Sequence, residues 1–381
     1  MAAAPATAGA PPIDRLRLAD FRNFQTLSLD ITSRFVVLHG DNGSGKTNLL
    51  EALSLLTPGR GLRRATYPEM ARASGSGGFS VRARLNGPGG DGVDALTLVQ
   101  PEPGAGAVRR LRVDEVQARS VDDLLDHCRI LWLTPAMDGL FSGPAGDRRR
   151  FLDRLVLTLD PSHGRRSLDY ERAMRSRNRL LAEDSRDASW LGAIESEMAG
   201  LGLALALARI ETVQRLANLL ARRGDDPFPA AGLELVAGYP DLELARPAAE
   251  TEDAIAERLA NARGLDRASG RTLEGPHRAD LLVTHLDKAM PAALASTGEQ
   301  KALLIGLVLA HAELVAAASG IAPILLLDEI AAHLDAGRRA ALYSILDRLG
   351  VQAFMTGTDR NLFEALEGRA QMLSVSNGAL S

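Results

Sequence analysis

The pattern of apolar and polar positions in the first part of the chain predicts a β-rich region. Apolar residues alternate from Leu16 to Phe24, and a short apolar run at 35–38 leads to a glycine, so both segments are predicted strands. Leucines at helical spacing predict a helix over 48–56. Gly/Pro-rich turns separate three predicted strands of an antiparallel meander, and a buried strand follows: residues 79–85, 94–100, 109–116 and 130–133.

From Asp147 onward the pattern becomes helical. Predicted helices run from Asp147 to Pro161 and over 166–181, 190–223 and 251–262. The third helix has apolar residues at 3–4 spacing, which fits either a short antiparallel coiled coil or a plain helical core: Leu191, Ile194, Met198, Leu201 and Leu205. Helix and strand then alternate again: helices 301–318 and 336–349, and strands 324–327 and 353–356.

This order predicts an α/β domain that is split by a helical insertion. We expect residues 13–146 and 271–381 to form the two parts of the α/β domain and residues 147–270 to form the inserted helical arm. Residues 1–12 are predicted to be a disordered tail, because they carry no Lys or Arg and no leucine-rich core and so do not fit a secretory signal.

Composition and charge bear on compartment and partners. The formal net charge is −4, so a surface for nucleic acid has to be local. The single cysteine, Cys128, excludes an intrachain disulfide and favours a reducing compartment. The N-terminus does not resemble a secretory signal, and the longest apolar stretch, 302–327, is interrupted by His311, Glu313 and Pro323. We therefore predict a cytoplasmic protein without membrane contact.

A glycine-rich loop connects the predicted strand at 35–38 to the helix at 48–56. It matches the pattern G-x-x-x-x-G-K-[ST], in which glycines let backbone N–H groups face the phosphates of a nucleotide. The helix start adds a partial positive charge. Lys46 is expected to reach the β- and γ-phosphates, and the Thr47 hydroxyl to bind Mg²⁺. The predicted ATP-binding residues are Gly40, Asp41, Asn42, Gly43, Ser44, Gly45, Lys46 and Thr47.

The apolar strand at 324–327 ends in two carboxylates, Asp328 and Glu329. Beside a phosphate loop, Asp328 suits the Mg²⁺ shell together with Thr47, and Glu329 suits polarising the water that attacks the γ-phosphate. Taken alone, the pair also fits a strand that ends in solvent. With the phosphate loop, both residues become the predicted catalytic residues.

A third motif precedes the helix at 301–318 and reads Ser-Thr-Gly-Glu-Gln-Lys over 296–301. It resembles the signature loop of ABC ATPases, in which small residues expose N–H groups at a helix start and a serine hydroxyl meets a phosphate oxygen. The same pattern is also typical of an ordinary helix N-cap. The predicted contacts to ATP across a dimer interface are Ser296, Gly298, Glu299 and Gln300.

Together these motifs resemble the RecF family over most of the chain. The matching segments are GDNGSGKTNLLEAL, the stretch from Thr134 to Asp153, GPHRADL at 275–281, STGEQKALL and LLLDEIAAHLD. The SMC group shares the head motifs, but its coiled coil needs more chain than lies between Lys46 and Ser296. The implied fold is α/β: an ABC-type ATPase head, with a mixed sheet carrying the phosphate loop, an antiparallel β subdomain and an inserted helical arm.

The resemblance also implies a function. ATP and Mg²⁺ are the expected cofactors, and an ATP-dependent homodimer is expected to bind DNA at gaps, where single-stranded and duplex DNA meet. RecR and RecO are the expected partners in loading RecA, during gap repair and the SOS response. A weak ATPase activity would release this clamp.

Two departures from ABC ATPases concern the γ-phosphate. No glutamine follows the strand at 130–133, where Asp138 is the candidate replacement, and Thr356-Gly357-Thr358-Asp359 stands where a histidine is common. A chain that lacks a residue that would touch the γ-phosphate is predicted to hydrolyse ATP slowly. Asp335, in Ala-His-Leu-Asp, fits the loop that couples the two sites of a dimer.

Arginines are the candidates for contacts to DNA phosphates. Any single one also fits a solvated helix surface, and the low aromatic content, 4%, argues against base stacking as the main mode. The candidates are Arg60, Arg63, Arg64, Arg148, Arg172, Arg175 and Arg179.

Two other functions stay open from the sequence. The ATPase subunit of a membrane transporter would share the three motifs, although transporter heads have a shorter helical insertion and use the glutamine that is missing here. A scaffold that binds ATP without cleaving it would also share them. A single-turnover hydrolysis assay separates that scaffold from an ATPase.

Overall fold

The structure is a computed structural model that describes residues 11–87, 91–102, 104, 106–183, 187–222, 227–244, 246–376 and 378–381. The chain divides into two compact units, residues 1–138 with 311–381, and residues 139–310. The predicted tail therefore lies almost wholly outside the described residues. The predicted domain borders at 147 and 270 stay predictions.

The elements of the first unit, up to residue 138, are β1 Ile13–Phe21, β2 Phe24–Asp30, β3 Phe35–His39, α1 Lys46–Ser54, α2 Tyr67–Met70, β4 Phe79–Asn86, β5 Gly92–Glu102, β6 Gly106–Val113, β7 Val116–Gln117 and β8 Ile130–Leu133. The next elements are α3 Ala145–Leu159, α4 His163–Ala182, α5 Ala188–Arg222, β9 Ala231–Val236, α6 Ala248–Asn261, α7 Arg263–Ser269, β10 Asp280–His285, β11 Met290–Pro291 and α8 Thr297–Ser319. The last are β12 Ile324–Leu327, α9 Ala336–Arg348, β13 Gln352–Gly357, β14 Ala370–Ser376 and β15 Ala379–Leu380.

A mixed sheet of the first unit has the strand order β15-β14-β3-β13-β12-β8. Every pair from β14 to β8 is parallel, and only β15 is antiparallel to its neighbour. β8, β12 and β13 are buried along their whole length, which explains the continuous apolar sequences of β8 and β12. Because parallel strands end at the same edge, the loops that follow β3, β12 and β13 meet there.

The second sheet of this unit is antiparallel, in the order β2-β1-β4-β5-β6-β7, and confirms the predicted meander. Its buried face shares one apolar core with α1 and the mixed sheet. The prediction of a single strand from Leu16 to Phe24 is wrong at its end. β1 stops at Phe21, because Arg22 adopts a left-handed φ of 52° and donates its backbone N–H to the Met70 carbonyl at 2.8 Å.

The second unit consists of helices and a small antiparallel sheet in the order β11-β10-β9. Its core draws residues from α4, α5 and α6 and from the segment after β9, including Tyr170, Met198, Tyr239 and Ile255. α5 is buried over a wider stripe than the seam of a two-stranded coiled coil requires. The plain helical core is therefore the alternative that fits.

Within the described residues, two helices are long and apolar enough to cross a membrane by composition alone, α5 and α8. Half of the apolar window of α5 and 67% of that of α8 are buried inside the protein. Core helices of globular proteins have the same property, so this composition is explained by packing.

Candidate functional site

The glycine-rich loop joins the end of β3 to the start of α1, and three of its glycines, Gly40, Gly43 and Gly45, have a positive φ. Gly40 has φ 144°, and a Cβ there would lie 2.4 Å from the Val375 carbonyl oxygen. Gly45 has φ 114°, and a Cβ there would lie 2.4 Å from the Asn23 amide nitrogen. Close approach on both sides thus holds the loop in one shape.

Lys46 and Ser44 line the inside of this loop. Lys46 is 4% exposed, and its ammonium donates to the carbonyls of Gly40 at 2.7 Å and Asp41 at 2.8 Å. The Ser44 hydroxyl is buried and has no hydrogen-bond partner among the described residues. A buried donor without a partner costs free energy unless a ligand satisfies it. The loop therefore offers an ammonium, a hydroxyl and a helix start, which fits the phosphates of a nucleotide.

The acidic end of β12 meets this loop. The Thr47 hydroxyl donates to Oδ1 of Asp328 at 3.0 Å, and Asp328 is 5% exposed. Hydroxyl and carboxylate oxygens are the ligands that Mg²⁺ prefers, so Thr47 and Asp328 fit that ion. Glu329 has a left-handed backbone, with φ 56° and ψ 18°, and is the N-cap of the short 3-10 helix Ile330–His333. The structure thus brings together the phosphate loop and both predicted catalytic carboxylates.

Two further residues contact the site and were missed from the sequence. Asn23, in the turn after β1, donates to the Ser44 carbonyl at 3.2 Å and accepts from the Asn48 amide at 2.8 Å. Thr356, at the end of β13, contacts both Asp328 and Glu329 through its hydroxyl. The sequence marks Thr356 only as part of the segment that stands where ABC ATPases often have a histidine. Its contacts with the acidic pair follow from the sheet order, which places β13 beside β12.

The predicted signature loop lies in the second unit, at the start of α8. The Ser296 hydroxyl donates to Oε2 of Glu299 at 2.8 Å, and the Ser296 N–H donates to the same oxygen at 3.0 Å. Lys288 forms an ion pair with the other oxygen of Glu299. The hydrogen bond from Lys288 and those from Ser296 lower the pKa of Glu299 to about 2. Ser296 and Glu299 therefore form a capping box at the helix start.

The remaining signature residues have different surroundings. A Cβ on Gly298 would meet nothing within 4 Å, so the helix start is open there. Gln300 is buried and donates to the Ala295 carbonyl at 2.9 Å.

Asp335 caps α9, because its Oδ1 accepts from the Arg338 N–H at 2.8 Å, and this bond lowers the pKa of Asp335. Asp138 follows β8 at the end of the 3-10 helix Pro135–Met137.

The candidate arginines differ in their hydrogen-bond and ion-pair partners. Arg148 is held by both oxygens of Asp280, each at 2.8 Å, which is the geometry of a structural ion pair. Arg63 donates to the Asn48 side chain at 2.8 Å. On the exposed face of α4, Arg172 pairs with Asp169 and Arg175 with Glu171. Among the candidates, Arg60, Arg64 and Arg179 are exposed and form no ion pair with the described part of the chain.

His277, in the segment GPHRADL, has a structural position. Its Nε2 contacts the Thr272 carbonyl at 2.9 Å, and its Nδ1 contacts the Tyr170 hydroxyl at 3.2 Å. Burial lowers the pKa of His277, which favours the neutral ring. The ring therefore anchors this segment inside the second unit.

A phosphate loop, an acidic strand end beside it and a separate antiparallel sheet define the class of ABC-type ATPase heads. The family described as RecF/RecN/SMC N terminal domain matches residues 12–381. The protein "DNA replication and repair protein RecF" of Mesorhizobium japonicum is 58% identical over 369 residues, 97% of either chain. The protein of the same name from Rhizobium meliloti is 58% identical over 370 residues, 97% of this chain and 98% of the relative. The chain belongs to the RecF family.

Solved structures agree with this fold. A structure of the recombination mediator protein RecF-ATPrS in the RecFOR pathway superposes with a TM-score of 0.83 at 21% identity, covering 98% of both chains. The SMC head domain of Pyrococcus furiosus gives 0.54 at 16% identity, covering 97% of this chain and 95% of the other. The predicted fold class is therefore confirmed. Family membership also decides against the transporter subunit.

Proposed function

We propose that this chain binds and slowly hydrolyses ATP, and that ATP makes two copies close on DNA during replication and repair. The observation that carries the proposal is the 3.0 Å contact between Thr47 of the phosphate loop and Asp328 at the end of β12. That contact joins two sequence motifs that are far apart in the chain, as a nucleotide site with a metal ion requires. Relatives named as DNA replication and repair proteins support the biological context.

The roles of the residues follow from their chemistry. Lys46 exchanges its two loop carbonyls for oxygens of the β- and γ-phosphates, and the Ser44 hydroxyl and the loop N–H groups complete the cradle. Mg²⁺, held by Thr47 and Asp328, would neutralise charge on the phosphates. Glu329 orients the attacking water and accepts its proton. No histidine follows β13, so γ-phosphate contacts are fewer and turnover is slow.

The second half of each site comes from another copy. In this proposal Ser296, Gly298, Glu299 and Gln300 meet the ATP held by the phosphate loop of the partner, and Asp335 couples the two sites. The open start of α8 supports the proposal, because Gly298 leaves room for a phosphate to approach the helix N-terminus. Ser296 has to exchange its bond to Glu299 for one to the phosphate.

DNA contacts are assigned to exposed arginines, with Arg60, Arg64 and Arg179 as the first choice. Arg172 and Arg175 can exchange weak surface ion pairs for contacts to phosphates, whereas Arg63 and Arg148 have stronger protein contacts.

We assign the helical arm to residues 147–270. RecR and RecO as partners, gapped DNA as target and a cytoplasmic location belong to the same proposal. The RecFOR pathway named for a solved structure supports the two partners, and relatives named as DNA replication and repair proteins support a role on DNA.

Sedimentation velocity tests this function, with and without ATP and a gapped duplex. We expect monomers without ATP, dimers with ATP, and a slower-dissociating complex when gapped DNA is added. An intact duplex and a single strand of equal length serve as DNA controls, and Lys46→Met as the nucleotide control. A parent chain that stays monomeric in saturating ATP with gapped DNA would exclude the clamp.

A further inference from the structure

Strand β13 lies between the two strands that carry the nucleotide motifs. β3, which leads into the phosphate loop, pairs with one side of β13, and β12, which ends at Asp328, pairs with the other. All of these pairs are parallel, so the three strands end at one edge. Thr356 stands opposite Leu38 of β3 and directly after Met355, the partner of Leu327. The Thr356 side chain therefore lies at the edge of the sheet where the phosphate loop follows β3 and the acidic pair follows β12.

The Thr356 hydroxyl makes two hydrogen bonds to the acidic pair. It accepts the backbone N–H of Glu329 at 2.8 Å and donates to Oδ1 of Asp328 at 2.8 Å. A threonine hydroxyl has one hydrogen, and here Asp328 receives it. The same Oδ1 also accepts from Thr47 at 3.0 Å. Two hydroxyls from two different segments thus fix the orientation of one carboxylate.

The bond to Glu329 acts on its backbone. Glu329 is not glycine, yet its φ is 56°, in the left-handed region that side chains disfavour. Such strain persists only when surrounding contacts hold it, and it concentrates at functional sites. The Thr356 hydroxyl accepts the N–H at this bend and is itself 1% exposed, so water does not replace it. The direction of the Glu329 side chain depends on this bend.

We propose that Thr356 is a positioning residue for ATP hydrolysis. Its hydroxyl orients the Asp328 carboxylate and holds the backbone bend that aims Glu329. The inference rests on the ATPase function proposed above and deepens it. The Thr356 hydroxyl is buried and bonds to Asp328 and Glu329, so in this proposal it acts on the rate of cleavage and leaves nucleotide affinity to the phosphate loop.

The test compares Thr356→Val, which keeps the shape and β-branching of threonine, with Thr356→Ser, which keeps the hydroxyl. Single-turnover hydrolysis and ATP affinity are measured on the full chain. For Thr356→Val we expect the rate constant to fall about ten-fold or more with little change in ATP affinity, as loss of a hydrogen bond to a carboxylate implies. Thr356→Ser should keep most of the rate.

Thr212→Val is the matched control, because it also removes a buried hydroxyl, which donates to the Ala208 carbonyl at 2.8 Å in α5. It should hydrolyse ATP at the parent rate. Should Thr356→Val fail to fold, the smaller Thr356→Ala carries the same expectation. A parent rate in either variant, or equal rate losses in Thr356→Val and Thr356→Ser, would overturn the inference alone. A parent chain that cleaves no ATP would overturn the proposed ATPase as well.

Discussion

Arg177 offers the sharpest test of what holds the second unit together. Its side chain is 0% exposed and donates to Glu195 at 3.0 Å, to Asp266 at 2.6 Å and to the Leu259 carbonyl at 2.7 Å. These partners join α4 to α5, α6 and α7. Replacing Arg177 by Met leaves Asp266 buried without its cation, whereas Glu195 keeps Arg263.

Removing one partner of a buried ion pair costs about 3–5 kcal/mol, so Arg177→Met should lower the free energy of unfolding by about that amount. For a unit of this size the melting temperature should fall by roughly 6–20 °C. Arg175→Met is the control on the same helix, since Arg175 is 68% exposed and its ion pair with Glu171 spans 3.6 Å. Its effect should stay within about 0.5 kcal/mol.

Urea unfolding followed by circular dichroism, together with calorimetry, measures both variants. ATP affinity serves as a check that the phosphate loop, which lies in the first unit, is intact. If Arg177→Met and Arg175→Met unfold alike, the buried ion pairs do not stabilise this unit, and the reasoning from burial is refuted.

Three further predictions concern the nucleotide site. Lys46→Met should weaken ATP binding by roughly ten- to 150-fold, because a charge-assisted bond to the phosphates contributes about 1.5–3 kcal/mol; unchanged affinity in a fluorescence titration would exclude this role. Glu329→Gln should bind ATP but not cleave it, and so prolong the dimer, whereas cleavage at the parent rate would show that Glu329 is not the catalytic carboxylate. Ser296→Arg should bind ATP near normally yet stay monomeric in ATP and lose ATP-dependent DNA retention. Weakened ATP binding by its monomer would place Ser296 in the cis site, and normal ATP-driven dimers would show that the motif is only a helix cap.

Strands with a continuous apolar sequence were predictable, because a run of apolar residues indicates by itself that both faces of the strand are buried. The segments at 130–133 and 324–327 have the bounds of β8 and β12, since each is a short apolar run buried on both faces. By contrast, β14 was missed. Most of it is half-exposed, and its partner β3 lies far away in the chain, so no local pattern marks it.

Sequence motifs predicted the meeting of Thr47 and Asp328 because strand-end motifs in a parallel sheet converge at one edge. Which arginine of α4 is buried was not predictable. Arg175, Arg177 and Arg179 differ little in sequence context, yet Arg177 faces Glu195 and Asp266 while the others face outward. That difference arises from the packing of α4 against the other helices, a tertiary effect that local spacing does not encode.

The signature loop shows why association should depend on ATP. The single hydrogen of the Ser296 hydroxyl points to Glu299, whose other oxygen is bound by Lys288, so these two side chains are satisfied within one copy. In this proposal, two copies that meet without nucleotide bring no phosphate acceptor to this hydroxyl. A phosphate from the partner brings an acceptor that competes with Glu299, and the freed carboxylate keeps Lys288. Under the proposed function, the loop can therefore favour the dimer only when ATP is present, because a ligand shifts an equilibrium only through the contacts that one state makes and the other does not.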